Sequence, residues 1–224
     1  MAAVPLAQRL KRRAHRAIAL AQDVLVAQAY DSFPDCVLHG GTAIWRCYGG
    51  SRFSEDVDTY LPTYSDSGAR RFRRGLAAKG MEELKFKASE NTVFGKFSFS
   101  GASVSFEGAL RGPPSVRVTT PYELLGGGYM LVFALPPEAL VVEKAAAYTA
   151  RRKVRDLYDV FFLLSKVEDR RRRRREVARS LASLVSGSRQ PVDEAQLKAT
   201  VLAGAVPSAS EMIEGIRRWV KRST

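Results

Sequence analysis

The stretch Leu38–Asp58, LHGGTAIWRCYGGSRFSEDVD, decides how this chain is read. It places a Gly-Gly turn and a small hydroxyl residue (Gly40, Gly41, Thr42) ahead of an Asp-x-Asp pair, Asp56 and Asp58. The preceding DCVLH, residues 35–39, is short and mostly apolar, which suits a buried strand. TAIWRCY, after the glycines, has helical character. A strand, a tight turn and a helix N-terminus leave backbone N–H groups aimed at one spot, and that spot attracts anions, phosphate above all. The glycines let the backbone approach a ligand closely. Thr42 is placed to cap the helix or to bind a phosphate oxygen. On turn chemistry alone, a plain tight corner is the competing reading.

The carboxylates shift that balance. SEDVDTYL reads as a strand, and residues i and i+2 of a strand point to the same side. Asp56 and Asp58 then sit side by side, with Val57 and Thr59 on the other face. Two like charges held that close are costly without a cation between them. Magnesium (or manganese) takes oxygen ligands, a few carboxylates plus substrate phosphates. The alternative is a solvated acidic edge strand. In ASVSFEGALR, Val104 and Phe106 alternate with Ser103, Ser105 and Glu107, the pattern of a half-buried strand.

The chain has 224 residues, of which 46% are hydrophobic, enough for one large domain or two small lobes with a core. Its formal net charge of +13 points to a polyanionic partner, RNA or DNA. The charge is clustered: Lys11, Arg12, Arg13 and Arg16; then Arg70, Arg71, Arg73 and Arg74 around Phe72; then Arg151, Arg152, Lys153 and Arg155; then Arg170 to Arg175. The second and third clusters are candidates to track a nucleic-acid backbone, with Phe72 either a stacking ring or a core anchor. The six-arginine run reads as an exposed helix start or loop. Leu6, Leu10, Ala14, Ala17, Leu20 and Val24 recur at helical spacing, so the N-terminus reads as an amphipathic helix rather than a targeting segment. No run approaches a membrane span, and a cytoplasmic protein without membrane contact is expected. Cys36 and Cys47 are read as two thiols, and with only His15 and His39 a zinc site is not expected. His39 is read as a packed turn histidine in preference to a phosphate or base contact.

The organisation reads as two parts. Residues 1–118 give a helix, the strand–turn–helix–strand just described, a helix, and strands at 84–88, 92–99, 102–109 and 115–118. Gly112, Pro113 and Pro114 mark a turn. In residues 119–224, Gly126 to Gly128 form a bend, MLVFAL one more strand, and Pro137 or Glu138 opens a helical region. There Val154, Leu157, Phe161 and Leu164 form a buried stripe, and Asp156 and Asp159, at i and i+3, lie on a neighbouring face. One of these carboxylates is placed to order Arg152 or Arg155. Lys144 sits in an apolar stripe and either snorkels outward or points at an anion.

The pattern Gly-Gly-Thr, helix, Arg-x-Ser-x-Asp-x-Asp (Gly40, Gly41, Thr42, Arg52, Ser54, Asp56, Asp58) resembles the signature of the nucleotidyltransferase AbiEii/AbiGii toxin family, which includes the MenT-like toxins. EALVVEKAAAY, with Glu143 and Lys144, and RRKVRDLYDVFFLL, with Arg152, Arg155, Asp156, Leu157, Tyr158 and Asp159, resemble two later blocks of the family. The resemblance spans residues 36–165 and implies an α+β fold: a polymerase-β-like nucleotidyltransferase core, a small mixed sheet with helices, followed by an α-helical C-terminal lobe that completes the active-site cleft. It implies metal ligation by Asp56 and Asp58, with Glu107 as the third carboxylate, and nucleotide binding by Gly40, Gly41, Thr42, Arg52 and Ser54. It also implies catalytic roles for Lys144, on the triphosphate, and Asp156, lining the site. A helix break is expected between Thr149 and Lys153 from this resemblance, which implies that Lys144 and Asp156 serve one site, whereas a straight helix would set them about 120° apart. The implied reaction is magnesium-dependent transfer of a nucleoside monophosphate from an NTP to an RNA hydroxyl, a tRNA 3′ end among them, by a toxin held in check by a cognate antitoxin. The alternatives are a small-molecule or protein hydroxyl as acceptor, or a nucleotide- or RNA-binding regulator without turnover. The intact Asp-x-Asp pair argues against the regulator.

Overall fold

The structure, a computed structural model, describes residues 5–111, 116–168, 170–187 and 189–224. The chain divides into two compact units, residues 1–47 with 53–134, and residues 48–52 with 135–224.

The first unit begins with α1 (Leu6–Arg9) and α2 (Arg13–Ser32). β1 (Val37–His39), α3 (Gly40–Cys47), β2 (Val57–Tyr60) and α4 (Asp66–Ala78) follow. The remaining strands are β3 (Glu82–Ala88), β4 (Thr92–Phe99), β5 (Ala102–Ala109), β6 (Val118–Glu123) and β7 (Tyr129–Ala134). Among the described residues the strands form one seven-stranded mixed sheet in the order β3-β4-β5-β2-β1-β7-β6. β2 runs antiparallel to β1 and parallel to β5.

Alternation decides which face of this sheet is covered. Val57, Thr59, Val93, Phe97, Val104 and Phe106 are buried on one side. On that side Phe72 of α4 is fully enclosed, edge-on to Phe97 and tilted against Phe106 and Phe33. Phe72 is therefore the core anchor. Ser65 caps α4 by accepting from the Gly68 N–H.

The N-terminal helix departs from the expected pattern. It breaks at Leu10, whose backbone is extended, and its buried face is Ala19, Gln22, Leu25, Val26 and Ala29, with Leu20 exposed. Leu6 and Leu10 of the expected stripe are buried, but the stripe fails beyond the break, where Ala14 and Leu20 are exposed and the buried face includes a glutamine. The hairpin β6–β7 holds a strand that the sequence hid. Pro121 lies inside β6, and it is tolerated because β6 is the edge strand. The Gly126–Gly128 bend is the hairpin turn, closed by Leu124 N–H donating to Gly128. Because β7 pairs with β1, residues 119–134 group with the sheet. The expected turn at Gly112–Pro114 lies outside the described residues.

The second unit is helical: α5 (Pro137–Arg151), α6 (Val154–Leu163), α7 (Arg171–Ser180), α8 (Ala182–Ser186), α9 (Leu197–Thr200) and α10 (Ala209–Ser223). A Pro at the first helical position opens α5. The expected break is present: Arg152 is left-handed with φ of 50° and Lys153 is extended. In α6 the buried set is Val154, Leu157, Tyr158, Val160 and Leu163, while Phe161 is partly exposed beside Gly215 of α10. α10 starts with a capping box between Ser208 and Glu211. The arginine run opens α7, where Arg172 pairs with Glu176 and Arg174 lies over Trp219. No described helix is long and apolar enough to cross a membrane.

Replacing Phe72 with Ala removes the ring that joins α4 to the sheet. A loss of about 3–5 kcal/mol in unfolding free energy is expected in denaturant titrations. A loss under about 1 kcal/mol would contradict its place in the core.

Candidate active site

The first unit builds the site around one close approach. β1 and β2 pair so that His39 lies opposite Asp58. Gly40, the next residue, therefore meets the Asp58 side chain directly. A Cβ on Gly40 would stand 2.0 Å from Asp58 Oδ2, and Gly40 also has φ of +67°. Both facts demand glycine there. The helix α3 begins at Gly40 itself, so Thr42 lies inside its first turn rather than at the cap. Its early N–H groups have no intrahelical partners and face the anion-attracting end of the helix.

Thr42 is fully buried, and its hydroxyl donates to the Asp56 carbonyl. It holds the approach to β2 in place, which differs from the expected cap or phosphate contact. Gln22 of α2 serves the same end and was invisible to sequence reasoning. Fully buried, it donates through Nε2 to the Ser54 carbonyl (2.9 Å) and the Glu55 carbonyl (3.0 Å). A glutamine in mid-helix gives no signal for this in the sequence. Ser54 thus sits in a stretch whose backbone is pinned from two sides.

The carboxylates project from the face opposite the buried layer. β2 starts at Val57, so Asp56 precedes the strand and is exposed, while Asp58 is half-buried. The parallel pairing of β2 and β5 sets Asp58 against Glu107. Burial first, then the charges of Asp58 and Asp56, raise the pKa of Glu107, while nearby His39 lowers it. His39 stacks on Tyr60, with centroids 4.3 Å apart, so it is packed as expected. The three carboxylates share one negative field of hard oxygen donors. Among the described residues no group of three or more His, Cys, Asp or Glu side chains closes into a ready metal cage. Magnesium usually retains waters and takes one or two carboxylates together with substrate phosphates, so Asp56 and Asp58 fit such an ion with Glu107 beside them.

The expected basic cluster on α4 lies elsewhere. Phe72 faces Phe106, and Phe106 points away from Glu107 along β5, so Arg70, Arg71, Arg73 and Arg74 belong to the opposite layer from the carboxylates. Arg73 forks onto Glu83, and Arg71 donates to the Ser32 carbonyl. Arg70 and Arg74 are exposed. The thiols of Cys36 and Cys47 are free, and burial pushes each up to about 12.

The second unit carries its own ionic network, described by itself. Arg52 donates to Asp159 through Nε and Nη2, both at 2.8 Å. Lys144 Nζ lies 3.1 Å from Asp159 and 3.6 Å from Asp156. Arg151 forks onto Asp156 at 2.7 and 2.8 Å. Asp156 and Asp159 are buried, as is Arg52. Lys144 thus points at anions, but they are carboxylates of its own chain. The partners of the aspartates are Arg151 and Arg52, in place of the expected Arg152 or Arg155. Arg52 is turned to Asp159 rather than left as an open phosphate clamp. Burial alone would raise the pKa of Asp159, but the Arg52 and Lys144 charges outweigh it and hold the carboxyl below its usual range. Burial, the largest single influence, lowers the pKa of Arg52, but the charge and hydrogen bond of Asp159 together with the Asp156 and Tyr158 charges outweigh it, so the net direction is upward.

This fold and motif set define a nucleotidyltransferase. The chain belongs to the family described as nucleotidyl transferase AbiEii toxin of type IV toxin–antitoxin systems, whose profile matches residues 23–211. The fold is similar to that of MenT4, a nucleotidyltransferase toxin from Mycobacterium tuberculosis H37Rv, with TM-score 0.62, 20% identity and coverage of 95% of this chain and 85% of that one. It is also similar to JHP933 from Helicobacter pylori, with TM-score 0.61, 18% identity and coverage of 92% and 91%. No curated protein matches the sequence.

Two outcomes follow. Gly40→Ala forces Asp58 to move and strains a left-handed residue by about 1–2 kcal/mol. Nucleotidyl transfer should fall at least about 100-fold while the chain stays folded by circular dichroism. For Asp159 the folded pKa is depressed, so its stabilisation is present above the unfolded value of about 4 and is lost as pH falls through the folded value. Asp159→Asn should cost about 3–5 kcal/mol near neutral pH, because the buried charges of Arg52 and Lys144 lose the carboxylate opposite them. The loss should shrink below pH ~4 in acid-unfolding curves, and an equal loss at all pH values would contradict the pairing.

Proposed function

We propose that this chain transfers a nucleoside monophosphate from an NTP to a hydroxyl of RNA, with the 3′ end of tRNA as the first acceptor to test. The observation that carries this reading is the juxtaposition of the Gly40 turn with Asp58, beside Glu107. The N-terminal turn of α3 binds triphosphate oxygens through backbone N–H groups of Gly40, Gly41 and Thr42. Asp56 and Asp58 hold magnesium or manganese, which supplies charge neutralisation for the triphosphate and the leaving pyrophosphate. Gln22 and Thr42 fix the backbone of residues 54–56, so both carboxylates are presented without rearrangement. The acceptor oxygen forms a bond to the α-phosphorus as the bond from that phosphorus to the bridging oxygen breaks. Pyrophosphate leaves, and the hydroxyl proton passes to a carboxylate oxygen of the row.

RNA is favoured over a small neutral acceptor by the net charge of +13. The toxin's cognate antitoxin is the second partner in this reading.

The reading is tested by incubating the chain with magnesium, each α-labelled NTP in turn, and total RNA, followed by a denaturing gel. A discrete labelled RNA band with a preferred NTP is expected, weakened about 1,000-fold or more in Asp58→Asn. Label on a protein or a small molecule, with none on RNA, would sink the RNA acceptor while keeping the chemistry.

A further inference from the structure

The sheet face that carries the carboxylates does not end with them. Asp58 pairs with Glu107, Glu107 with Phe94, and Phe94 with Lys87. Residues directly opposite one another in a ladder share a face, so these four make one row across β2, β5, β4 and β3. Two residues along, Ser105 pairs with Lys96 and Lys96 with Lys85, forming a second row on that face. Lys85, Lys87 and Lys96 are exposed and Phe94 is half-buried. The Lys85 ammonium stands 5.5 Å from the centre of the Phe94 ring. At the usual strand spacing, Phe94 lies roughly 10 Å and Lys87 roughly 14 Å from Asp58 along the row. That distance matches about three to four nucleotides of a stacked strand.

Structure alone accounts for only part of this lysine set. Lys85 and Lys96 face each other directly, and like charges in that position destabilise a sheet. Lysines on an edge strand do guard against sheet-to-sheet pairing, and β3 is an edge. That explains Lys85 and Lys87 but not Lys96, which lies on the inner strand β4. Glu82 is also exposed and pairs with Ser98, two residues from Lys96, so it shares this face one row beyond the lysines, on the side away from Asp58. An aromatic ring ringed by cations on an open sheet is a stacking platform for an unpaired base with its phosphates. A duplex keeps its bases stacked and cannot use the ring, so the chemistry selects a single strand.

We infer that Phe94, Lys85, Lys87 and Lys96 bind the single-stranded end of the acceptor RNA, one base stacking on Phe94 and the lysines neutralising its phosphates. The inference rests on RNA being the acceptor and deepens that reading. It moves the RNA path away from α4, whose arginines lie on the other layer.

The test uses the full chain and a short fluorescein-labelled single-stranded RNA, with a duplex of equal length as comparison, in anisotropy titrations at several salt concentrations. Phe94→Leu, which keeps apolar bulk, should weaken single-strand binding about 5- to 100-fold, and Phe94→Tyr should restore it. Lys85→Gln/Lys87→Gln/Lys96→Gln should reduce the salt slope by about 2, and its melting temperature should not fall, because a like-charge pair is removed. In transfer assays both should raise KM for RNA and leave KM for the NTP unchanged. Wild-type affinity in both variants, or a loss of affinity found in Arg70→Gln/Arg74→Gln instead, would overturn the platform while the RNA acceptor stands. Wild-type protein that transfers label only to something other than RNA would overturn the acceptor reading itself.

Discussion

Everything in the first unit is arranged around the contact between the Gly40 backbone and the Asp58 carboxylate. Antiparallel pairing of β1 with β2 brings His39 opposite Asp58, and the chain then turns into α3 through a left-handed Gly40 whose missing side chain leaves the carboxylate room. A side chain at Gly40 cannot be accommodated by a rotamer change elsewhere, because the obstacle is the carboxylate that the site is built to present. The turn thus fixes the distance between an anion-attracting helix end and a cation-attracting acid. The supporting bonds serve this one distance: Thr42 grips the Asp56 carbonyl from inside α3, and Gln22 grips the carbonyls of Ser54 and Glu55 from α2. Two helices, α2 and α3, converge on the backbone just before β2, where freedom would be most damaging to the placement of two acids.

The helical unit meets the opposite problem. Its buried charges must be reconciled with one another before anything else. Arg52, Asp159, Lys144, Asp156 and Arg151 alternate in sign along a chain of contacts of 2.7–3.6 Å. Desolvation works against the four buried members, while Arg151, its side chain 46% exposed, closes the chain at the surface; the contacts between opposite charges offset the cost. The contrast with Arg73 and Glu83 is instructive: that pair has similar distances but is 47% and 30% exposed, so it contributes about 0–1 kcal/mol at most. Burial makes the first network strongly coupled to folding and leaves the second nearly neutral. The left-handed Arg152 matters here, because the bend it creates between α5 and α6 lets Lys144 reach both aspartates. A straight helix would have turned them apart.

The sequence made legible what depends on short-range pattern. Alternation over residues 102–109 revealed β5 and placed Glu107 on the open face, and the clash of angles between Lys144 and Asp156 revealed the break at Arg152. What stayed hidden depends on pairing between distant strands or on polar atoms inside apolar surroundings. β6 was obscured by Pro121, which says nothing by itself about whether a strand lies at an edge. Gln22 was overlooked, and the bond from Arg52 to Asp159 unforeseen, for one reason: the role of a polar side chain in a helix or loop is hidden until the carbonyl or carboxylate that receives it is known. The layer occupied by α4 was equally invisible. Its arginines follow the Asp-x-Asp strand closely in sequence, yet Phe72 fixes the helix to the other face.

The two-residue period of the strands explains why one sheet can be both core and working surface. Val104 and Phe106 commit one face of β5 to the hydrophobic layer, and that commitment pins the register to within a single residue, since a slip would expose both. The same register then decides which residues neighbour Asp58 on the other face: Glu107, then Phe94, then Lys87. No interaction among those four needs to be strong for them to stay aligned. Their order is inherited from the buried side, so the open face is free to carry like charges and a partly exposed ring that would be poor choices for stability. On the proposed reading, this order of acid, aromatic and lysine is a cation site followed by a track for a polyanion.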